Sequence, residues 1–205
     1  MTQANAIQAG SEVLDLEERG WLPRHCRGDS QAFALLMHQY RALIYTFLIR
    51  YGIDRQNRDD LYQEIFLKVH QAAHRYQPSQ PLGPWLVTIA LNTVRNHRRD
   101  QARRWRIVKQ LPEPVRQYQP GVDKTQEQSA TLGWLETAIT QLGEPQREIL
   151  VLSTLKGLRM KDIASMMKLS ENTIKTHLRR ARLALAEQLL VRDNPVATAN
   201  PAAAE

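Results

Sequence analysis

At 205 residues the chain holds one domain or two small ones. Its 28 Lys and Arg against 21 Asp and Glu leave a formal charge of +7, which favours a polyanionic partner without choosing between nucleic acid and an acidic membrane surface. The single cysteine, Cys26, excludes an internal disulfide framework and a Cys-rich zinc site, and His25 beside it has no partner cluster, so no metal site is expected. Charged residues break up every apolar run before it reaches the ~18 residues of a membrane span. Residues Met1 to Gly10 lack the basic start and apolar core of a signal peptide. The expected location is cytoplasmic, with no direct membrane insertion.

The periodic segments all read as helix. Residues 1–27 form an N-terminal extension. Asp29 or Ser30 then caps a helix carrying Phe33, Leu36, Tyr40, Leu43, Ile44, Phe47, Leu48 and Tyr51 at helical spacing, with Gly52 just past its end. A second helix is predicted over about 57–75, with Leu61, Ile65, Val69, Ala72 and Ala73 inward. Three prolines and a glycine make Tyr76 to Pro84 a loop. Pro84 suits the first position of a third helix, carrying Trp85, Leu86, Ile89, Ala90 and Val94.

Residues 107–127 change character, with Pro112, Pro114, Pro120 and Gly121 in a polar stretch that reads as a flexible linker. Helical patterning resumes with Leu132, Leu135, Ile139 and Leu142, and Pro145 opens the next helix over Ile149, Leu150 and Leu152. The Pro/Ala/Asn-rich tail 191–205 is expected to be disordered. The predicted fold class is all-α: two small helical domains, 28–106 and 128–190, joined by the linker 107–127.

Three constellations carry chemistry. In residues 54–64, Asp54, Asp59, Asp60 and Glu64 outnumber Arg55 and Arg58, an acidic segment in a basic chain. Asp60 and Glu64 stand four apart on one helix face, and with Asp59 and Gln63 they suit a basic protein partner rather than DNA. No nucleophile, histidine partner or metal cluster accompanies these carboxylates, so acid–base catalysis is not expected. In residues 95–109, seven cations (Arg95, Arg98, Arg99, Arg103, Arg104, Arg106 and Lys109) face one anion, Asp100. That density suits a phosphate backbone. Asn92, Asn96, His97 and Trp105 are interleaved and can bond or stack on bases, and the preceding loop can offer Tyr76 to an unpaired base.

The third constellation is a helix-turn-helix over 157–186. Ile163, Ala164 and Met167 share a face of a short helix, Lys168 and Leu169 turn, and Ser170 caps a second helix. Ile174, Leu178, Ala181 and Leu185 make its apolar stripe, while Lys175, Thr176, Arg179, Arg180 and Arg182 lie outward, as in a helix that enters a major groove.

Together these residues resemble an RNA polymerase sigma factor of the extracytoplasmic-function (ECF) type, the short form with domains two and four only. Asp60, Leu61, Gln63, Glu64 and Phe66 match that family's Asp-Leu-x-Gln-Glu-x-Phe motif. Trp85, Leu86, Ile89, Ala90 and Asn92, followed by Arg98 and Arg99, match its Trp-Leu-x-x-Ile-Ala-x-Asn motif. Leu142, Arg147, Ile163, Ala164, Thr173, Lys175, Leu178, Arg180, Ala181 and Arg182 match its C-terminal pattern. Gly143, Leu82, Asn96, Asn172 and His177 depart from the residues usual there, the last two at the start of the recognition helix.

The resemblance implies that Asp59, Asp60, Leu61, Gln63 and Glu64 dock on the clamp coiled coil of the polymerase β′ subunit. It implies that Tyr76, Asn92, Arg95, Asn96, Arg98, Arg99 and Arg103 capture and melt the −10 promoter element. Glu171, Asn172, Thr173, Lys175, Thr176, Arg179, Arg180 and Arg182 would read the −35 element, in a domain that also touches the β flap. The linker would thread toward the active-site cleft. No catalytic residue, metal or cofactor is implied; an anti-sigma factor is the implied regulator, and a stress or environmental response the implied role. The alternative is a stand-alone regulator of the LuxR type, whose DNA-binding helices share the pattern of Ile163 to His177. It requires a sensor or receiver domain, and residues 1–110 show no strand–helix alternation.

Overall fold

A computed structural model describes residues 17–108, 134, 135, 137–139 and 141–193, and all regular structure among them is helical. The chain forms two compact units: Met1–Leu48 with Asp54–Gln119, and Ile49–Ile53 with Pro120–Glu205.

In the first unit, α1 (17–26) precedes α2 (Ser30–Arg50), α3 (Arg55–Ala72), a 3-10 turn (Ala73–Arg75) and α4 (Leu82–Val108). Asp29, not Ser30, caps α2: its Oδ1 accepts the Ala32 N–H at 3.1 Å, and Arg24 pairs with its other oxygen at 2.8 Å. This places the carboxylate where three-residue N-cap geometry and the helix dipole both favour it. Ala32, Leu36, Tyr40, Ile44, Phe47 and Leu48 then recur at three- and four-residue steps and are buried. By length and composition alone α2 is apolar enough to cross a membrane, but Arg41 interrupts its apolar run and its buried row faces the core of this unit. Gly52 follows with φ of +77°, a left-handed conformation that glycine adopts without a Cβ clash.

α3 buries Leu61, Ile65, Phe66 and Val69 and packs on α4, which buries Leu82, Leu86, Val87, Ala90, Leu91 and Val94. Truncating one such side chain to Ala costs roughly 2–5 kcal/mol. α4 begins two residues before Pro84. This is tolerated because the first amide groups of a helix have no intrahelical partner, so a proline in the first turn forfeits nothing.

The extension 1–27 is partly a folded element. Trp21 and Leu22 of α1 are buried, and Glu18 accepts the Tyr40 hydroxyl at 2.6 Å. His25 lies 4.5 Å from the Phe33 ring and shares a 2.8 Å hydrogen bond with His70, which ties α1 to α2 and α3.

In the second unit, helical residues between 134 and 141 lead to α5 (Glu144–Ser153), α6 (Met160–Met167) and α7 (Glu171–Asp193). Gly143 caps α5, with Pro145 in its first turn. Arg147 donates to the carbonyls of Ile139 (3.1 Å) and Leu142 (2.8 Å), which satisfies the open C-terminus of the preceding helix. Ile149, Leu150, Val151, Leu152, Ile163, Ala164, Ile174, Leu178 and Ala181 form the core. α7 runs to Asp193, past the expected boundary at 190; the rest of the tail and residues 109–133 of the linker region lie outside the described residues.

Candidate functional site

The acidic segment occupies the first half of α3. Leu61 is buried and anchors the helix, while Asp59, Asp60, Gln63 and Glu64 are exposed. The carboxylates differ in their ties. Asp59 accepts the Tyr45 hydroxyl of α2 at 2.5 Å, and this bond holds the Tyr45 hydroxyl above its ordinary pKa. Glu64 pairs with Lys68, four residues on, at 2.6 Å. Leu67, one turn beyond Glu64, is an exposed leucine.

Along α4, Asn92, Asn96, Arg99 and Arg103 are exposed at i, i+4, i+7 and i+11, a single stripe opposite the buried row from Leu86 to Val94. Arg99 donates to the Asn96 side-chain oxygen Oδ1, and Arg103 pairs with Asp100 at 3.1 Å. Arg95 and Arg98 flank the stripe and are half-buried. The side chains of Trp105 and Arg106 and all of Lys109 lie outside the described residues.

Tyr76 departs from the expectation. Its residual exposure is 6 %, its ring meets Trp85 edge-on at 5.2 Å, and its hydroxyl donates to the Gln80 carbonyl at 2.6 Å. A ring so enclosed offers no face to a base. Tyr76 instead fixes the curve of the loop, whose residues 77–80 are exposed. Residue type alone does not mark it as turning inward, since His74 and Arg75 directly before it are exposed.

The helix-turn-helix has the expected parts. Lys168 adopts φ +55° and ψ +41° after α6. Its N–H bonds the Ser165 carbonyl at 3.2 Å, and the Leu169 N–H bonds the Ala164 carbonyl at 3.0 Å. This is a Schellman closure with lysine where glycine is the usual occupant. Ser170 Oγ then accepts the Thr173 N–H at 3.1 Å and caps α7. Glu171, Asn172, Lys175, Thr176, Arg179, Arg180 and Arg182 are exposed; Thr173 is half-buried against its cap. Met160, Leu178, Leu183 and Ala186 line a shallow groove of about 600 Å³ edged by Lys175, Arg179 and Arg182. Among the described residues no group of three or more His, Cys, Asp or Glu side chains is arranged to hold a metal.

Residues 36–104 match the Sigma-70 region 2 model and residues 132–185 match Sigma-70, region 4. The chain is 29% identical over 180 residues to the RNA polymerase sigma-H factor of Pseudomonas aeruginosa, covering 80% of this chain and 89% of that protein. It is also 29% identical over 175 residues to the ECF RNA polymerase sigma-E factor of Haemophilus influenzae, covering 82% and 92%. In fold it is similar to CnrH, solved in complex with the cytosolic domain of CnrY, with a TM-score of 0.64 at 22% identity over 84% of this chain and 96% of that one. It is also similar to the sigma factor RpoE of Bartonella quintana, solved in complex with the anti-sigma factor NepR, with a TM-score of 0.62 at 22% identity over 78% and 97%.

Proposed function

The chain belongs to the sigma-70 family, as an ECF RNA polymerase sigma factor with domains two and four, and from that premise we propose a division of labour among its helices. A sigma factor binds core polymerase and directs it to promoters. Here the acidic face of α3 docks on the β′ clamp coiled coil. The loop 77–80 and the α4 stripe Asn92–Asn96–Arg99–Arg103, flanked by Arg95 and Arg98, hold the opened −10 element. α7 reads the −35 element, and its domain touches the β flap. The two domains take in residues 28–106 and 128–190, with α1 added to the first and α7 carried on to Asp193, and the linker between them passes toward the active-site cleft.

The observation that supports this division is the sorting of charge by helix. The segment opening α3 carries four carboxylates against two arginines, whereas residues 95–109 carry seven cations against one carboxylate. Opening a duplex costs a few kcal/mol per flipped base, and a basic stripe holding the freed strand offsets that cost. Duplex reading needs a helix in a groove, which the capped α7 provides. The factor supplies no catalytic residue, since the polymerase does the chemistry, and it works in the cytoplasm without entering a membrane. It serves a stress or environmental response under an anti-sigma factor. The LuxR-type alternative is not favoured, because the family matches cover the N-terminal half as well as the helix-turn-helix.

The test pairs Asp60→Arg with Glu64→Arg and titrates the variant against core polymerase. Binding is expected to be lost with helicity unchanged; an affinity within about twofold of wild type, a shift worth well under 1 kcal/mol, would refute the docking role of α3.

A further inference from the structure

Asp59 and Asp60 are neighbours in sequence with different surroundings. The Tyr45 hydroxyl of α2 donates to Asp59 Oδ1 at 2.5 Å, the short length expected of a bond to an ionised acceptor. The Tyr45 ring is itself held, with its centroid 4.9 Å from that of Tyr62 on α3 and the Arg41 guanidinium 5.5 Å away over its face. Tyr62 continues onto Phe66 at 4.8 Å. Asp59 therefore closes a chain of contacts that joins the start of α3 to α2. Among the described residues Glu64 is tied within its own helix, to Lys68, so that pair can exchange partners without moving either helix.

We propose that Tyr45 and Asp59 are positioning residues for the polymerase-docking face: their bond fixes α3 against α2, so that Asp60, Gln63 and Glu64 meet a basic coiled coil in register, and Asp59 itself makes no contact with the polymerase. The proposal rests on the docking role of α3. Its physical basis is pre-organisation: a helix already fixed loses less freedom on binding than one that must be ordered by its partner. It assigns different work to two adjacent aspartates that charge pattern alone groups in one patch.

The experiment measures affinity of the full chain for core polymerase over a range of salt concentrations, at a temperature well below unfolding. The variants are Tyr45→Phe, Asp59→Ala, their double, Asp59→Asn, and Asp60→Asn with Glu64→Gln. Tyr45→Phe and Asp59→Ala are each expected to weaken binding by roughly three- to tenfold with unchanged salt dependence, the range for net loss of one hydrogen bond. The double variant is expected to lose no more than either single, since both remove the same bond. Asp59→Asn keeps an acceptor oxygen and loses the charge, so it is expected to stay within about twofold of wild type, a shift of well under 1 kcal/mol.

If Asp59→Asn instead loses as much as Asp59→Ala and flattens the salt dependence, Asp59 is a contact residue and the proposal is overturned. Additive losses overturn it too, as does a lowered melting temperature with no change in affinity, the mark of a tie that is structural only. The variant Asp60→Asn with Glu64→Gln separates the two ideas: if it leaves core affinity unchanged, the docking role of α3 has failed, not merely the part given to Tyr45.

Discussion

α4 and α7 are both long basic helices, but they hold their cations differently. On α4 two of the exposed arginines are tied to near neighbours, Arg99 to Asn96 and Arg103 to Asp100. They form a fixed row backed by the buried side chains from Leu86 to Val94. On α7, Lys175, Arg179 and Arg182 are exposed with no ion pair among the described residues, one to three turns from a capped N-terminus. A fixed row of guanidiniums and amides suits a run of phosphates and separated bases. Unpaired cations near the start of a helix suit base edges in a groove. On the proposed function, net charge selects both helices for DNA, while the local ties of each cation separate the kind of contact it is suited to.

The comparison is most easily broken by exchanging the two phenotypes. Lys175→Ala and Arg179→Ala should each cost about 1–3 kcal/mol of discrimination at the −35 element, as for a well-made base contact. Transcription by the reconstituted holoenzyme on promoters varied in that element measures this. Arg98→Gln, Arg99→Gln and Arg103→Gln should weaken promoter opening alike on all sequences. Each should reduce the salt slope of binding by up to about one, the loss of one phosphate contact. Equal loss of −35 preference in both sets would erase the distinction.

Smaller effects sharpen it. α7 depends on its entry turn. Ser170→Ala should destabilise the second unit by about 1 kcal/mol, through loss of the bond to the Thr173 N–H. Lys168→Gly should stabilise it by about 0.5–1 kcal/mol, because a left-handed residue with a Cβ is strained there. Thermal melts of the free chain report both.

The smallest expected effect lies in the first unit, at the head of α2. The Ala32 N–H, aided by the Arg24 guanidinium, holds the Asp29 carboxyl below its ordinary pKa of 3.8. A lowered folded pKa contributes stability that is full above the unfolded value and is lost as pH falls through the folded one. Asp29→Asn should therefore flatten the acid limb of the melting profile by slightly lowering stability near neutral pH while leaving stability at low pH little changed. An unaltered acid limb would remove the cap's ionic contribution.

Most of the architecture was legible because periodicity and caps agree. The rows from Leu36 to Leu48 and from Ile174 to Ala181 are continuous, and Ser170 and Pro145 mark their helices in the sequence. α1 was not legible. It contains Gly20 and Pro23, the two poorest helix formers, so its helicity depends on burial of Trp21 and Leu22 and on the His25–His70 contact, which are long-range. Among site residues, exposure followed the expected faces for α4 and α7, because a stripe on one side of a helix requires a free face on the other. Tyr76 failed because residue type does not reveal whether a loop tyrosine turns inward. The division between Asp59 and Asp60 was equally hidden, since it depends on Tyr45, fourteen residues away on another helix.

On the proposed function, one chain carries an acidic face for the polymerase and two basic faces that work on promoter DNA only once the polymerase is engaged. The most direct measurement titrates a fluorescent promoter duplex with the full chain, with and without core polymerase, using wild type and Asp60→Arg with Glu64→Arg. The account predicts promoter-specific binding by wild type only with core present. With the variant, that specificity should vanish while weak, salt-sensitive binding to any duplex persists. Promoter-specific binding by the chain alone, unaffected by the α3 substitutions, would contradict it.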